Sequence, residues 1–471
     1  MREYVTSIGL EINTELDTET KAFCACRNEF GALPNTLVCP VCLGLPGALP
    51  RVNRKAVEYT IMAGLVLGSE INNIAIFERK NYFYPDLSKS YQISQLGKPI
   101  CLGGGIKLKN GTFKRFNRIH LEEDAGKLIH DNESDRTYVD FNRSGAPLIE
   151  MVTEPDFENA DEVVEFLNTL RQILVNIGVS KCRMEEGGFR IDVNISVKEK
   201  ASERLGTRVE LKNINSFKTI SKVIDFEKNR QIEILESGKE VMQETRSFDE
   251  KALKTIVLRK KEDENDYRYF PDPSILPIEI REKDIERIRA KIPESIEEKF
   301  ERLSSLGLGD EEVDILINKG LTNYFESICK IYSNPKEISN WLLSDFLKLS
   351  KEIDIETLIN LLPPKEFADI IKMVDNGTIT RVNGKNLMFE VINSGKSAKQ
   401  LLIEMDLTGE VNKQDVVALM GDIISSNPSI KKDYLESPEK VMNFCIGQIM
   451  KSTNGKAKAE YLVPLIDNIL K

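Results

Sequence analysis

Ile8, Leu10 and Ile12 alternate with Gly9, Glu11 and Asn13 near the start of the chain. A strand with that period has one apolar face and one polar face. FRIDVNISVK repeats the pattern, with Ile191, Val193 and Ile195 on one side and Arg190, Asp192 and Asn194 on the other. Two further alternating stretches, FNRIHLEE and TRVELKNINSF, lie among Gly, Asn and Pro turns and predict more strands. The helical period appears instead in RKAVEYTIMAGLVLG at 54–68 and ADEVVEFLNTLRQILVNIG at 160–178. Because strands and helices do not alternate regularly, a mixed antiparallel α+β domain is expected rather than a doubly wound one. From Pro293 the texture changes to amphipathic helices such as SIEEKFERLSSLG and NPKEISNWLLSDFLKLS, separated by Gly and Asn-Pro stops. Asn376-Gly377 and Thr408-Gly409 are expected breaks within this helical half. LGGGIKL at 102–108 reads as a hairpin turn.

The length of 471 residues exceeds what one core serves, so several domains are expected. The net charge of −10 argues against a broad polyanion-binding surface, though a local basic patch remains open. MREYVTSIGLEI has no apolar signal core, and no apolar run approaches the roughly 20 residues that span a bilayer. A cytoplasmic protein is expected. His120 and His130 are the only histidines, so catalysis must lean on carboxylates, Lys, Arg or bound metal.

Cys24, Cys26, Cys39 and Cys42 form C-x-C…C-x-x-C, with Pro40 and Gly44 shaping the second turn. Four thiolates match a closed tetrahedral zinc site, which leaves no open position for chemistry. Free thiols and a redox pair are the alternatives, and a disulfide would need an oxidising compartment. Cys101, Cys182, Cys329 and Cys445 are isolated and read as buried apolar thiols.

Two acids sit where acids are costly. Glu150 lies inside PLIEMV, and Glu123 shares a strand face with Ile119 and Leu121 if that strand reaches it. Acids on strands without a histidine-rich set suggest oxygen ligation of Mg²⁺, and hence phosphoryl transfer. The common phosphate-loop motifs are absent from the sequence. On physical grounds alone the reading ends at an α+β domain with an acidic metal site.

Longer segments carry more. IGLEINTEL, ERKNYFYPDLSKSYQISQ, HLEEDAGK, DFNRSGAPLIEMVTEPD, MEEGGFRIDVNIS, ELKNINSFK, QETRSFDE, DYRYFPDP and GQIMKSTNGKA occur in that order along the chain. In order and spacing they resemble the GatB family, the B subunits of tRNA-dependent amidotransferases. The resemblance implies an N-terminal cradle domain with the zinc knuckle (1–292), a helical domain (293–405) and a YqeY-like tail (406–471). It also implies ATP-dependent phosphorylation of the side-chain carboxylate of Glu-tRNA(Gln) or Asp-tRNA(Asn). Ammonia from a glutaminase A subunit then gives the amide, and a small C subunit completes the heterotrimer.

Carried over by position, Glu11, Glu123, Glu150 and Asp192 match the family's Mg²⁺ and phosphoryl-transfer acids. Lys80, Tyr82, Tyr84, Lys89, Tyr91 and Gln92, with Arg190 and Asn194, are expected to line the pocket for ATP and the aminoacyl end. Lys451, Lys456 and Lys458 are expected to contact tRNA phosphates. One position departs from the pattern. The family's first strand ends in G-L-E-[VI]-H, with the histidine as a metal ligand, whereas this chain has Asn13, whose carbonyl oxygen suits Mg²⁺. The rival reading is a non-catalytic, zinc-containing tRNA-binding scaffold.

Overall fold

The structure, a computed structural model, describes residues 3–131, 133, 135–214, 216–249, 254–260, 264–407, 413–453 and 459–470. Its described residues divide into two compact units, the first ending at Ser295 and the second beginning at Ile296.

The first unit is built on a mixed sheet in which ten strands are described. The strand Tyr4–Glu15 lies in its middle, between Phe189–Glu199 and Pro147–Thr153. Outward on one side follow Val209–Lys212, Glu244–Asp249 and the edge strand Lys254–Lys260. Phe113–Glu123 and three short strands, Cys101–Leu102, Gly105–Lys107 and Glu70–Ile71, lie on the other side. Neighbours are antiparallel except Val209–Lys212 with Glu244–Asp249. The expected α+β class with a mixed sheet is therefore present.

Ile8, Leu10, Ile12, Ile191, Val193 and Ile195 pack into one core with the helices Arg54–Val66 and Ala160–Asn176. Asn53 and Asn159 cap those helices by accepting from backbone N–H groups of the first turn. A third helix in this core, Phe217–Glu236, escaped the period reading. Its inner stripe starts as Ile220, Val223 and Ile224 but continues through Glu227 and Gln231, both fully buried. Glu227 meets Arg230 at 2.6 Å, and Gln231 accepts from Val197 N at 3.0 Å. Polar residues on the inner face erase the apolar signal while their partners satisfy them.

The glycine run at 102–108 is not a hairpin turn. It links two short strands, Cys101–Leu102 and Gly105–Lys107, that both pair with Phe113–Glu123. Cys101, Cys182 and Cys445 are buried, as expected of apolar thiols, and Cys329 is half-buried.

The second unit is helical and holds two apolar clusters. One runs from Leu303 to Leu407 around Trp341, Phe346 and Phe367; the other runs from Val416 to Leu470. Asn376-Gly377 separates the helices Pro364–Asp375 and Arg381–Ser394. Thr408-Gly409 lies outside the described residues. Among the described residues no helix is long and apolar enough to cross a membrane.

Candidate active site

The sheet registers bring distant acids together. Glu11 stands opposite Asp192 on one neighbour and Val152 on the other, while Asn13 stands opposite Arg190 and Glu150. Glu150 in turn faces His120 across the next strand pair. Side chains alternate between sheet faces, so all of these sit on the face away from Ile8, Leu10 and Ile12. The polar face of the first strand is thus the centre of a polar field.

Two groups of potential ligands lie in that field. In each of the sets His120, Glu122 and Glu150, and Glu11, Asp192 and Glu210, one ligand atom per residue lies within 4.8 Å of the others. His120 Nε2 is 3.7 Å from both Glu122 Oε2 and Glu150 Oε1. Ser94 Oγ donates to Glu122 Oε2 at 3.1 Å. In the second set, Lys212 Nζ lies 2.6 Å from Asp192 and 3.0 Å from Glu210, and Asn194 donates to Glu11 at 2.9 Å. Asn13 Oδ1 and His120 Nδ1 are buried with no hydrogen-bond partner. An unpartnered buried acceptor on this face fits a ligand or ligand-bound water.

The electrostatics are those of a site that holds charge under strain. Burial, reinforced by the Glu150 charge, pushes the Glu11 carboxyl up, and burial also raises Asp192. For Glu122, burial works against the charge, but His120 and Lys80 outweigh it and hold the group below the usual carboxylate range. Lys80 is also penalised by burial, yet Glu150 and Glu122 hold its ammonium above the ordinary lysine range.

The four cysteines form a separate group. Each offers a sulfur within 4.8 Å of the others, and all are free. Cys39 N donates to Cys42 Sγ at 3.1 Å, the turn geometry of a C-x-x-C pair. A hydrogen bond from Cys24, aided by the Cys39 backbone N–H and then by the charge of Lys21, pulls the Cys42 thiol down to about 4, against the effect of burial. The donor set of four sulfurs fits a closed tetrahedral ion. Gly44 has a φ of +67°, and a Cβ there would stand 2.7 Å from Lys89 Cγ, so the second knuckle turn packs directly on Lys89.

Residues 6–286 match the GatB/GatE catalytic domain, and residues 323–470 match the GatB domain. The chain belongs to the GatB/GatE family. It is 43% identical over its whole length to the B subunit of an aspartyl/glutamyl-tRNA(Asn/Gln) amidotransferase from Persephonella marina, itself covered in full. A protein of the same name from Caldicellulosiruptor saccharolyticus is 43% identical over all of this chain and 98% of its own. Another, from Clostridium novyi, is 44% identical over 98% of both chains.

Against this GatB/GatE background, the positions expected from sequence fall into three groups. Glu11, Asn13, Glu150, Asp192, Arg190 and Asn194 share the polar face. Glu123 does not join them: Lys89 Nζ lies 2.6 Å from its carboxylate, and Ile93 N donates to it at 2.9 Å. The strand period turns Glu123 to the side of Ile119 and Leu121, while Glu122 takes the place beside Glu150. Lys89 and Gln92 accompany Glu123, since Gln92 Nε2 donates to its carbonyl at 2.6 Å.

Tyr82 packs edge-on to Tyr267 at 5.9 Å, Tyr91 lies under Arg79 at 4.1 Å, and Tyr84 is exposed. Arg190 is gripped by buried Asp124 at 3.0 Å, which also binds Arg143 at 2.6 Å. Lys451 is exposed near the end of the helix Pro438–Ser452, whereas Lys456 and Lys458 lie outside the described residues. Sequence reasoning missed His120, Glu122, Glu210 and Lys212. Their parity on HLEED and VELK was readable, but parity selects a face only once the register to Glu150 and Asp192 is known.

Proposed function

We propose that this chain is the B subunit of a tRNA-dependent amidotransferase. It activates the side-chain carboxylate of Glu-tRNA(Gln) or Asp-tRNA(Asn) and converts it to the amide. Full-length similarity to proteins named for that activity carries this reading. A carboxylate resists ammonia because resonance and charge make its carbon a poor electrophile. Attack of a carboxylate oxygen on the γ-phosphorus of ATP releases ADP and leaves an acyl phosphate. Ammonia then attacks the carbonyl carbon, phosphate departs, and the nitrogen loses a proton.

Glu11, Glu150 and Asp192, together with His120, Glu122 and Glu210, are the residues we assign to Mg²⁺. The ion would neutralise phosphoryl charge and align the reacting oxygens. Asn13 would add an oxygen to that shell. Lys80 and Arg190 supply fixed positive charge for phosphate oxygens. Tyr82, Tyr84 and Tyr91, with Lys89, Gln92 and Asn194, are assigned to the surroundings of the nucleotide and aminoacyl end, and Lys451, Lys456 and Lys458 to tRNA phosphates. The four-cysteine site holds zinc in a structural role. Partners are a glutaminase A subunit and a small C subunit, and the setting is the cytoplasm. Within the chain, 1–292 serves as the cradle, 293–405 as the helical domain and 406–471 as the tRNA-binding tail.

The test is an assay of the assembled complex with charged Glu-tRNA(Gln), ATP, Mg²⁺ and glutamine. Amide formation that disappears in Glu150→Ala and Asp192→Ala, with tRNA binding retained, is the expected result. Undiminished turnover in both variants would overturn the site assignment.

A further inference from the structure

Lys21 is one of the largest side chains in the chain to be fully buried, with no exposed surface. Its ammonium donates to Leu37 O at 2.8 Å, to Phe141 O at 3.3 Å and to Cys42 Sγ at 3.7 Å. All three N–H donors of the head group therefore have acceptors. What is missing is a carboxylate: among the described residues none lies within ion-pair distance of this nitrogen. An ammonium withdrawn from water without a counter-charge is expensive, and neutral carbonyls offset only part of the cost. The anion-forming group in direct contact with it is the Cys42 sulfur, while the nearby Glu123 carboxylate is taken up by Lys89. Four thiolates around one divalent cation retain two negative charges, and Cys42 lies on the Lys21 side of that centre.

The backbone supports the same placement. Lys21 N donates to Cys26 O at 3.0 Å, inside the first cysteine pair, and Ala22 N donates to Gly145 O at 2.8 Å. Leu37 lies just before the second cysteine pair, and Phe141 opens the loop that carries Arg143 and Ser144. One side chain thus joins both halves of the knuckle to a loop of the cradle.

We propose that Lys21 is the internal counter-charge of the four-cysteine metal centre, holding Cys42 by an N–H···S bond and fixing the knuckle to the 141–146 loop. The inference rests on the zinc reading above. In this arrangement Lys21 and the loaded centre need each other: the metal–thiolate group supplies the anion that permits a buried lysine, and the lysine lowers the cost of collecting four thiolates. Lys21 is a positioning residue, acting on the ion through its ligand.

The experiment compares the full chain with Lys21→Met, which keeps length and removes charge, and Lys21→Gln, which keeps donors and removes charge. Bound zinc is counted after release to a chromophoric chelator, and affinity is measured by competition. Thermal unfolding is recorded for metal-free and zinc-loaded protein. Both variants are expected to bind zinc about tenfold to a hundredfold more weakly, the range for groups that support metal ligands. The rise in melting temperature on zinc loading is expected to shrink in both. Natural affinity in both variants would overturn the proposal. So would natural affinity in Lys21→Gln alone, since donors without charge would then suffice. A natural chain that binds no zinc would instead overturn the zinc reading, and this proposal with it.

Discussion

Glu150 and His120 face each other across two antiparallel strands, Oε1 3.7 Å from Nε2, with Asn13 on the opposite flank of Glu150. The acid embedded in PLIEMV is therefore not buried in the core. It lies on the polar face of the sheet, among polar groups from three other segments of chain.

Glu150→Gln and Glu123→Gln should separate cleanly. The first is expected to weaken Mn²⁺ binding, read by paramagnetic resonance, and to cut amide formation by about a hundredfold or more, with a smaller loss of stability because Glu122 still faces Lys80 and the repulsion of Glu11 is relieved. The second leaves Lys89 buried without its partner and is expected to cost about 3 kcal/mol of unfolding free energy, with Mn²⁺ binding retained. The reverse pattern would mean that Glu123, not Glu150, holds the ion.

In the proposed metal site, Asn13 would set the ligand chemistry of the first strand. Its buried, unpartnered Oδ1 favours a hard, hydrated ion. Asn13→His is expected to shift ion preference from Mg²⁺ toward Mn²⁺ or Zn²⁺, checked by competition binding. A variant with higher turnover in Mg²⁺ would instead show that asparagine impairs the natural site.

If the four-cysteine site holds zinc as proposed, its removal should be felt at a distance from the cysteines. Ser88 Oγ and Ser144 Oγ both donate to Cys42 O, at 2.7 and 3.1 Å, so a loosened knuckle frees the segments on either side of Lys89 and Arg143. Faster hydrogen exchange in peptides spanning 86–93 and 141–146 is expected after chelation, with the helical unit unaffected. Identical exchange in those peptides would argue against the coupling.

Asp345 gives the helical unit a definite pH response. Burial acts to raise this carboxyl, but hydrogen bonds from Lys385 and Arg381 outweigh it and hold the group below its ordinary value. A depressed carboxylate contributes stability that is fully present above its unfolded pKa and is lost as pH falls through its folded pKa. Asp345→Asn is therefore expected to destabilise by about 1–3 kcal/mol at neutral pH, and by progressively less as the pH is lowered below the ordinary carboxylate range. Chemical denaturation across a descending pH series checks this, and a loss that stays constant throughout would refute it.

The alternation around Glu11 and Asp192, the helices at 54 and 160, the change of texture at Pro293 and the four-sulfur donor set are local. Each is set by side-chain period, turn residues or spacing, so the one-dimensional chain displays it. The family resemblance was also readable, because long runs such as RKNYFYPDLSKSYQISQ lie unbroken in the chain. The Phe217–Glu236 helix was hidden because Glu227 and Gln231 occupy its inner stripe.

Tertiary structure alone decided which acids meet. Strand parity shows only that His120 and Glu122 point one way and Glu123 the other. Pairing Glu150 with His120 takes a register between strands some thirty residues apart, and a one-residue slip would reverse the choice. The same holds for Lys21, an ordinary lysine in the sequence. Its surroundings appear only when the knuckle and the 141–146 loop close over it and bring the Cys42 sulfur against its ammonium.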